Sequence, residues 1–445
     1  MKQRHNQEDK GSKNLVGFPT TFEIAIFLSS IVFLVVWLFA RSGPSGDAAS
    51  AFQILSFWKK GFWELLEFTM QMILILVLGY SLATSSPAQR LLVKLVAISN
   101  SNTKAVVVTG TTAMIAGYLN WGFGLIVGAI LARQIGQSSK KHASDINYPL
   151  VGASGYLGML VWHGGLSASS SLKVAEEGHF FADMIGVIPI SRTIFSPTNL
   201  WINLMLAFAL VCLMVILSGK NDNQKVEIHD SITGDLAFAV SGKGILGKIL
   251  GTLILGLCVA DFFGFGGSGL AFIDLNYVNL VLLGLGLLVY GDVEEYFRAI
   301  SKGLSASTDI LIQFPFYAGI LGMMKYSGFL EVASSWFLEN VSAQYFPFMA
   351  FLSAALVNLF IPSGGGQWAV QGPILMDAGN RLGVNPADLI LVFSYGDQVT
   401  NMLQPFWALP LLSITGIPAW SLLKYTFFYF LVAFFVFSIG IFAFM

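Results

Sequence analysis

Three short stretches of this 445-residue chain carry residue types suited to holding a charged ligand. The first, Pro362-Ser363-Gly364-Gly365-Gly366-Gln367-Trp368, joins a hydroxyl, an amide and an indole to three successive glycines. Glycines admit positive φ and expose consecutive N–H groups with no side chain in the way. A helix resuming at Gln367 would aim its N-terminus, and the partial positive charge there, back at the turn. Such N–H groups form an anion site, with Ser363 and Gln367 as added donors and Trp368 as an apolar wall. That chemistry suits a carboxylate with a short apolar tail. The second stretch, Asn120-Trp121-Gly122-Phe123-Gly124, could supply the opposing half.

The third stretch is Tyr395-Gly396-Asp397-Gln398-Val399-Thr400-Asn401, directly after the apolar run Leu389–Phe393. An acid inside a membrane span costs about 2.5–3.5 kcal/mol on insertion scales, which makes Asp397 a functional candidate. It could bind a proton or a cation, with Thr400 and Asn401 as neighbouring oxygens, or cap a helix at a re-entrant turn. His163, in Trp162-His163-Gly164-Gly165, carries an imidazole that could relay protons or donate to a carboxylate. A hydrogen-bonded structural histidine would look the same in sequence.

The setting for these residues is lipid. Hydrophobic residues make up 55% of the chain and charged ones 11%, with a mean hydropathy of +0.71. Soluble proteins carry about 25% charged residues, so too little polar surface remains here to cover a water-soluble body. A net charge of −1 gives no support for a nucleic-acid partner. Cys212 and Cys258 lie inside apolar runs, and no metal-ligand spacing or cofactor motif is present. The Gly-rich Lys-Ser/Thr phosphate loop of a primary pump is also missing.

The chain divides into a polar tail (1–21), a first apolar half (22–218), a polar linker (219–243) and a second apolar half (244–445). Lys2, Arg4, Lys10 and Lys13 precede the first span and place the N-terminus in the cytoplasm. Clear spans are expected at Phe22–Ala40, Phe68–Ala83, Leu200–Ser218, Leu246–Phe263, Tyr277–Tyr290 and Tyr425–Met445. Each half also contains an apolar helix that breaks. Ala105–Leu119 stops at Asn120–Gly124 and resumes over Leu125–Ile135, and Tyr345–Ile361 stops at Pro362–Gly366. Setting Gly122 opposite Gly366 aligns the two breaks. A weaker pair follows, with Leu150–Ser167 interrupted at His163-Gly164-Gly165 and Leu389–Leu412 interrupted from Gly396 to Pro405. Unwound peptide groups in hydrocarbon cost several kcal/mol each, so such breaks sit against protein or a water-filled cavity. Paired breaks in two halves point to a transporter binding site. A Gly-rich loop emerging into water is the alternative.

The run Pro362 to Pro373, with Tyr395-Gly396-Asp397-Gln398 and Trp162-His163-Gly164-Gly165-Leu166, resembles the bacterial short-chain fatty acid transporter family, the acetoacetate and butyrate permeases. The resemblance covers almost the whole chain and extends to the broader ion-transporter superfamily. It implies an all-α polytopic membrane protein with two inverted repeats, each carrying a re-entrant hairpin and a broken helix. It further implies roughly 10–12 membrane segments, an elevator-type homodimer and a place in the inner membrane. The hairpin tips would lie near Asn120–Gly124 and Ser363–Gly366, and the broken helices near His163–Ser167 and Asp397–Asn401. A short-chain monocarboxylate and a coupling proton or sodium ion are the implied ligands.

Competing functions can be weighed on residues. Gly152-Ala153-Ser154-Gly155 resembles the nucleophile motif of rhomboid-type intramembrane proteases, but His163 follows Ser154 on the same apolar segment and the other histidines adjoin polar stretches. An enzyme is therefore not expected. A dicarboxylate carrier or cation/proton exchanger of the same superfamily is the runner-up. A dicarboxylate would call for a second cationic anchor, and no lysine or arginine adjoins either Gly-rich turn in sequence. A channel is a third reading, since broken helices also line pores.

Overall fold

Helices form wherever the apolar pattern predicts them, and their ends are set by local side-chain chemistry. The computed structural model describes residues 21–445 apart from 40, 43–46, 143–144, 220–243, 265–269, 271, 306, 330–331, 333–338, 360, 362 and 405–406. The polar tail and nearly all of the predicted linker lie outside the described residues. The described elements are helical except for one two-residue antiparallel ladder, Arg41–Ser42 with Asp47–Ala48.

The predicted spans appear as the helices Thr21–Phe39, Leu66–Ala83, Pro197–Ser218, Leu246–Gly264, Leu275–Tyr290 and Ala419–Phe444. Leu66–Ala83, Pro197–Ser218 and Ala419–Phe444 meet both the length and the apolarity needed to cross a bilayer. The last begins earlier than Tyr425, because Pro418 precedes it and Lys424 is taken into its second turn. The Val293–Ser305 helix between spans is amphipathic, with Glu294 and Arg298 paired on its exposed face.

Outward surfaces are apolar. Phe27, Leu38, Phe208, Phe263 and Trp420 are all more than 60% exposed, each on a long apolar helix. The interior, by contrast, holds asparagines, glutamines, serines and several charged groups. This inversion matches a multi-pass membrane protein, whose exterior meets hydrocarbon and whose polar groups turn inward.

Both predicted breaks are present, the first at a single residue and the second over a short connection. The Asn102–Leu119 helix ends where Asn120 turns extended (φ −157, ψ 126), and the Trp121–His142 helix starts at once. Phe346–Asn358 is followed, after a short turn, by Gly364–Leu382, whose N-cap is Ser363 (φ −156, ψ 104). The second helix therefore resumes at Gly364, three residues before the predicted Gln367. Ser363 O accepts from Gln367 N at 2.7 Å and Ser363 Oγ from Gly366 N at 3.3 Å, so the glycines wind as the first helical turn. Asn120 Oδ1 likewise accepts from Phe123 N at 2.8 Å. These equivalent caps align Asn120 with Ser363 and shift the predicted pairing of Gly122 with Gly366 by one residue.

The second pair of elements departs from expectation in opposite directions. Tyr148–Gly155 stops eight residues before His163 and continues as 3-10 turns over Leu157–Leu160 and Trp162–Gly164. Pro386–Thr400 runs unbroken through Gly396 and gives way only at Asn401–Leu403. Gly396 serves close packing and does not break the helix: a Cβ there would lie 2.4 Å from Phe351 O on the neighbouring helix.

Glycines also lock the first broken helix to its hairpin. A Cβ on Gly128 would stand 2.0 Å from Gly155 O, and one on Gly117 would stand 2.6 Å from Gly158 Cα. These are backbone-to-backbone contacts that no rotamer change can relieve, the packing that small residues permit between membrane helices. Gly128→Ala should therefore destabilise the fold by about 1–3 kcal/mol, seen as a lower thermal midpoint in detergent. Gly256→Ala is the matched control. That position has nothing within 4 Å of an added Cβ and should be neutral or slightly stabilising.

Candidate functional site

At the centre of the protein, residues far apart in sequence converge on one buried histidine–aspartate pair. His163 Nδ1 lies 2.9 Å from Asp397 Oδ2, and the two side chains are 0% and 1% exposed. His163 reaches this position because the 3-10 turn Trp162–Gly164 turns its ring inward, stacked on Trp162 with centroids 4.2 Å apart and planes 5° apart. Gln398 Oε1 accepts from His163 N at 3.1 Å and so ties the turn to the Asp397 helix. On the far side of the imidazole, Nε2 meets Ser169 Oγ at 3.0 Å and Ser170 Oγ at 3.3 Å, and Ser170 continues to Ser394 Oγ at 2.9 Å. Asp397 sits within the last two turns of its helix, so it is no helix cap.

The end of the Gly364–Leu382 helix closes over this pair. A Cβ on Gly364 would lie 2.8 Å from His163 Cε1 and 3.1 Å from Asp397 Oδ2, so only glycine fits. The N-terminal end of that helix carries partial positive charge and N–H groups that have no acceptor within the helix itself. Gly364 and Gly365 also border a small cavity. Its polar rim includes Ser363, and its apolar walls come from Trp121, Trp162 and Trp407 together with Met72, Met159, Ile310 and Phe314. Trp121 stands edge-on to Trp407 with centroids 5.1 Å apart.

The two predicted turns thus meet at one cavity, through Trp121 on one side and Ser363, Gly364 and Gly365 on the other. The remaining predicted residues take supporting places. Asn120 donates to Ile75 O at 3.2 Å and caps Phe123, while Gly122 packs on Leu76 and Gly366 on Tyr317. Gln367 spends its amide N–H groups on Ala354 O and Gln371 Oε1, each at 2.8 Å, and does not border the cavity. Trp368 is fully buried between Phe181 and Phe393, so the indole wall predicted from it is supplied instead by the three other tryptophans. Thr400 and Asn401 gather around Asn358, whose Nδ2 lies 2.6 Å from Asp397 O, 3.0 Å from Thr400 Oγ1 and 2.9 Å from Asn401 Oδ1.

Asn358, Ser169, Ser170 and Ser394 escaped the sequence reading, and Gln398, inside the third stretch, was given no role of its own. Asn358 carried a signal, since an amide inside the apolar run Tyr345–Ile361 needs a partner. Asn199, inside the span Pro197–Ser218, is of the same kind: it donates to Gly164 O at 2.8 Å and accepts from Tyr395 OH at 2.9 Å. The serines lie among many others, and nothing in their spacing marks them. Ser154, the candidate protease nucleophile, is paired with Tyr429 OH at 2.8 Å and with Leu150 O, not with a histidine.

Known proteins resemble this chain along its length. A solved structure, the Alcanivorax borkumensis YdaH transporter, described as having an unusual topology, superposes with a TM-score of 0.62 at 14% identity. The match covers 96% of this chain and 98% of that one, a likeness of fold. A protein of Escherichia coli (strain K12), provisionally named a short-chain fatty acid transporter, is 33% identical over 420 residues, 92% of each chain. One of the same provisional name from Haemophilus influenzae is 33% identical over 418 residues, 90% of each chain. The family model described as short chain fatty acid transporter matches residues 12–444, and the chain therefore belongs to the short-chain fatty acid transporter family.

Proposed function

We propose that this protein is a secondary active carrier that moves a short-chain monocarboxylate, of the butyrate or acetoacetate class, with a proton across the inner membrane. The observation that carries this reading is the shared helix end. Gly364 borders the cavity and also lies against the His163–Asp397 pair. An anion seated at Ser363, Gly364 and Gly365 would bring its charge close to Asp397. At about 5 Å and an effective dielectric of ~20, two negative charges repel by roughly 3 kcal/mol. A proton on the pair removes that repulsion. Anion and proton then raise each other's affinity by the same factor, which is the coupling a symporter needs. The loaded protein carries the same charge as the empty one, which eases movement across hydrocarbon.

No lysine or arginine borders the cavity, which supports a monocarboxylate over a dicarboxylate. The matching caps at Asn120 and Ser363 support two inverted repeats, and an elevator-type homodimer is what the family resemblance implies for them. Ser169, His163 and Asp397 share the connectivity of an acyl-transfer triad. Ser169 does not border the cavity, however, and Ser170 shares the same imidazole nitrogen, which favours holding a proton over attacking an ester.

One observation favours sodium as the coupling ion. Asn358 Nδ2 has two hydrogens but meets three oxygens, while Asn358 Oδ1 has no hydrogen-bond partner among the described residues. Turning that amide would place its oxygen beside Asp397 O, Thr400 Oγ1 and Asn401 Oδ1, a ligand set suited to a hard cation.

Purified protein in proteoliposomes, fed radiolabelled butyrate, tests the proposal. Uptake should collapse with the proton gradient and survive replacement of sodium; the reverse outcome selects the sodium reading. Preloaded unlabelled butyrate should accelerate label entry, and an absence of counterflow would indicate a channel. Asp397→Asn should abolish gradient-driven accumulation while retaining counterflow, because the amide mimics the protonated acid. Unchanged accumulation would remove Asp397 from the mechanism. Gly364→Ala, which drives a methyl into His163 and Trp162, should slow counterflow about tenfold or more at equal protein amount.

A further inference from the structure

A buried ion pair lies close behind the cavity wall, outside the site described above. Lys173 Nζ is 2.5 Å from Glu176 Oε2, with the two side chains 6% and 7% exposed. Gln71 donates to Glu176 Oε1 at 3.0 Å, and its own oxygen lies 3.4 Å from Lys173 Nζ. Two features separate this pair from a packing device. Burying both charges costs several kcal/mol per ion, and an apolar pair of the same volume would hold the fold at least as well. The ammonium is also placed for a ligand. It stands 5.7 Å from the Phe68 ring centre and 5.9 Å from that of Phe180.

Phe68 touches both Lys173 and two residues that border the cavity, Gly365 and Phe314. A Cβ on Gly365 would lie 2.7 Å from Phe68 Cζ, and the Phe68 and Phe314 rings have centroids 5.8 Å apart; Gly365 and Phe314 both border the cavity. Lys173 is further joined to the proton site by a short rigid link. The five-residue helix Ser169–Lys173 carries Ser169 and Ser170 against His163 at one end and Lys173 at the other.

We propose that Lys173 is a second carboxylate anchor for the transported acid, and that Glu176 is its built-in competitor. Glu176 occupies the ammonium while the site is empty. When Phe68 swings aside during the cycle, the substrate carboxylate takes over Lys173, and Glu176 keeps its bond from Gln71. When the acid leaves, Glu176 returns and prevents the ammonium from trapping the product. The inference rests on the carrier reading above, with a monocarboxylate as substrate.

The test is butyrate uptake into proteoliposomes, with KM and Vmax measured separately for wild type, Lys173→Met, Glu176→Gln and the double variant Lys173→Met/Glu176→Met. Loss of the anchor should raise KM about tenfold or more, and loss of the competitor should lower KM several-fold while slowing release, hence Vmax. The double variant has no unpaired buried charge, so it should fold like wild type yet keep the high KM. Opposite KM shifts are what a merely structural ion pair cannot produce. If both single variants lose only folded protein, and the double variant returns to the wild-type KM, the inference is overturned while the carrier reading stands. If wild type takes up no short-chain acid under any gradient, the carrier reading falls and this inference with it.

Discussion

A carboxylate enclosed in an apolar protein needs a close partner, and Asp397 organises the molecule through that requirement, although its Oδ1 has no hydrogen-bond partner among the described residues. One of its oxygens meets His163, and the end of the Gly364–Leu382 helix lies over both. His163 in turn is held by a backbone bond to Gln398, by stacking on Trp162, and by two serine hydroxyls on its outer nitrogen. Each of these partners comes from a different local structure: a continuous helix, a 3-10 turn, a short helix and a helix start. The pair therefore fixes how four elements from both halves of the chain approach one another.

The second constraint is the backbone itself. Each interruption frees peptide groups that lipid cannot satisfy, and amide or hydroxyl side chains take the place of water. Ser167 Oγ accepts from Trp121 N at 2.9 Å, Asn199 donates to Gly164 O, and Asn358 donates to Asp397 O. Gln404 likewise donates to Asn358 O at 3.1 Å at the second break. The buried asparagines are thus structural solvent for the broken helices. They also leave those helices free of any need to reach bulk water.

Much of this was legible in the chain before any coordinates. The breaks at Asn120 and Ser363 were marked by glycines after apolar runs, and the importance of His163 and Asp397 by ionisable groups in apolar surroundings. Their pairing was not legible, because 234 residues separate them and no periodicity connects one half of the chain to the other. Gly396 misled the reading. Glycine breaks a helix and lets two helices touch, and sequence alone does not separate the two uses; the Phe351 carbonyl decides it here. The three successive glycines misled it differently, since a helical first turn capped by Ser363 has the same composition as a loop. Lys173 was passed over because proximity in sequence was taken for proximity in space.

The three indoles around the cavity carry one more implication. Trp121, Trp162 and Trp407 are large and rigid, and Trp121 and Trp162 are almost wholly buried. Every linear acid presents the same headgroup, so that headgroup cannot tell one member of the series from another. What differs is how far the tail extends, and in the carrier proposed here a wall of fused rings would act as a ruler for it. Each added methylene gains roughly 0.8 kcal/mol while there is space and meets a barrier once there is none. Selection among such acids is then a matter of carbon count, settled by sterics and not by charge.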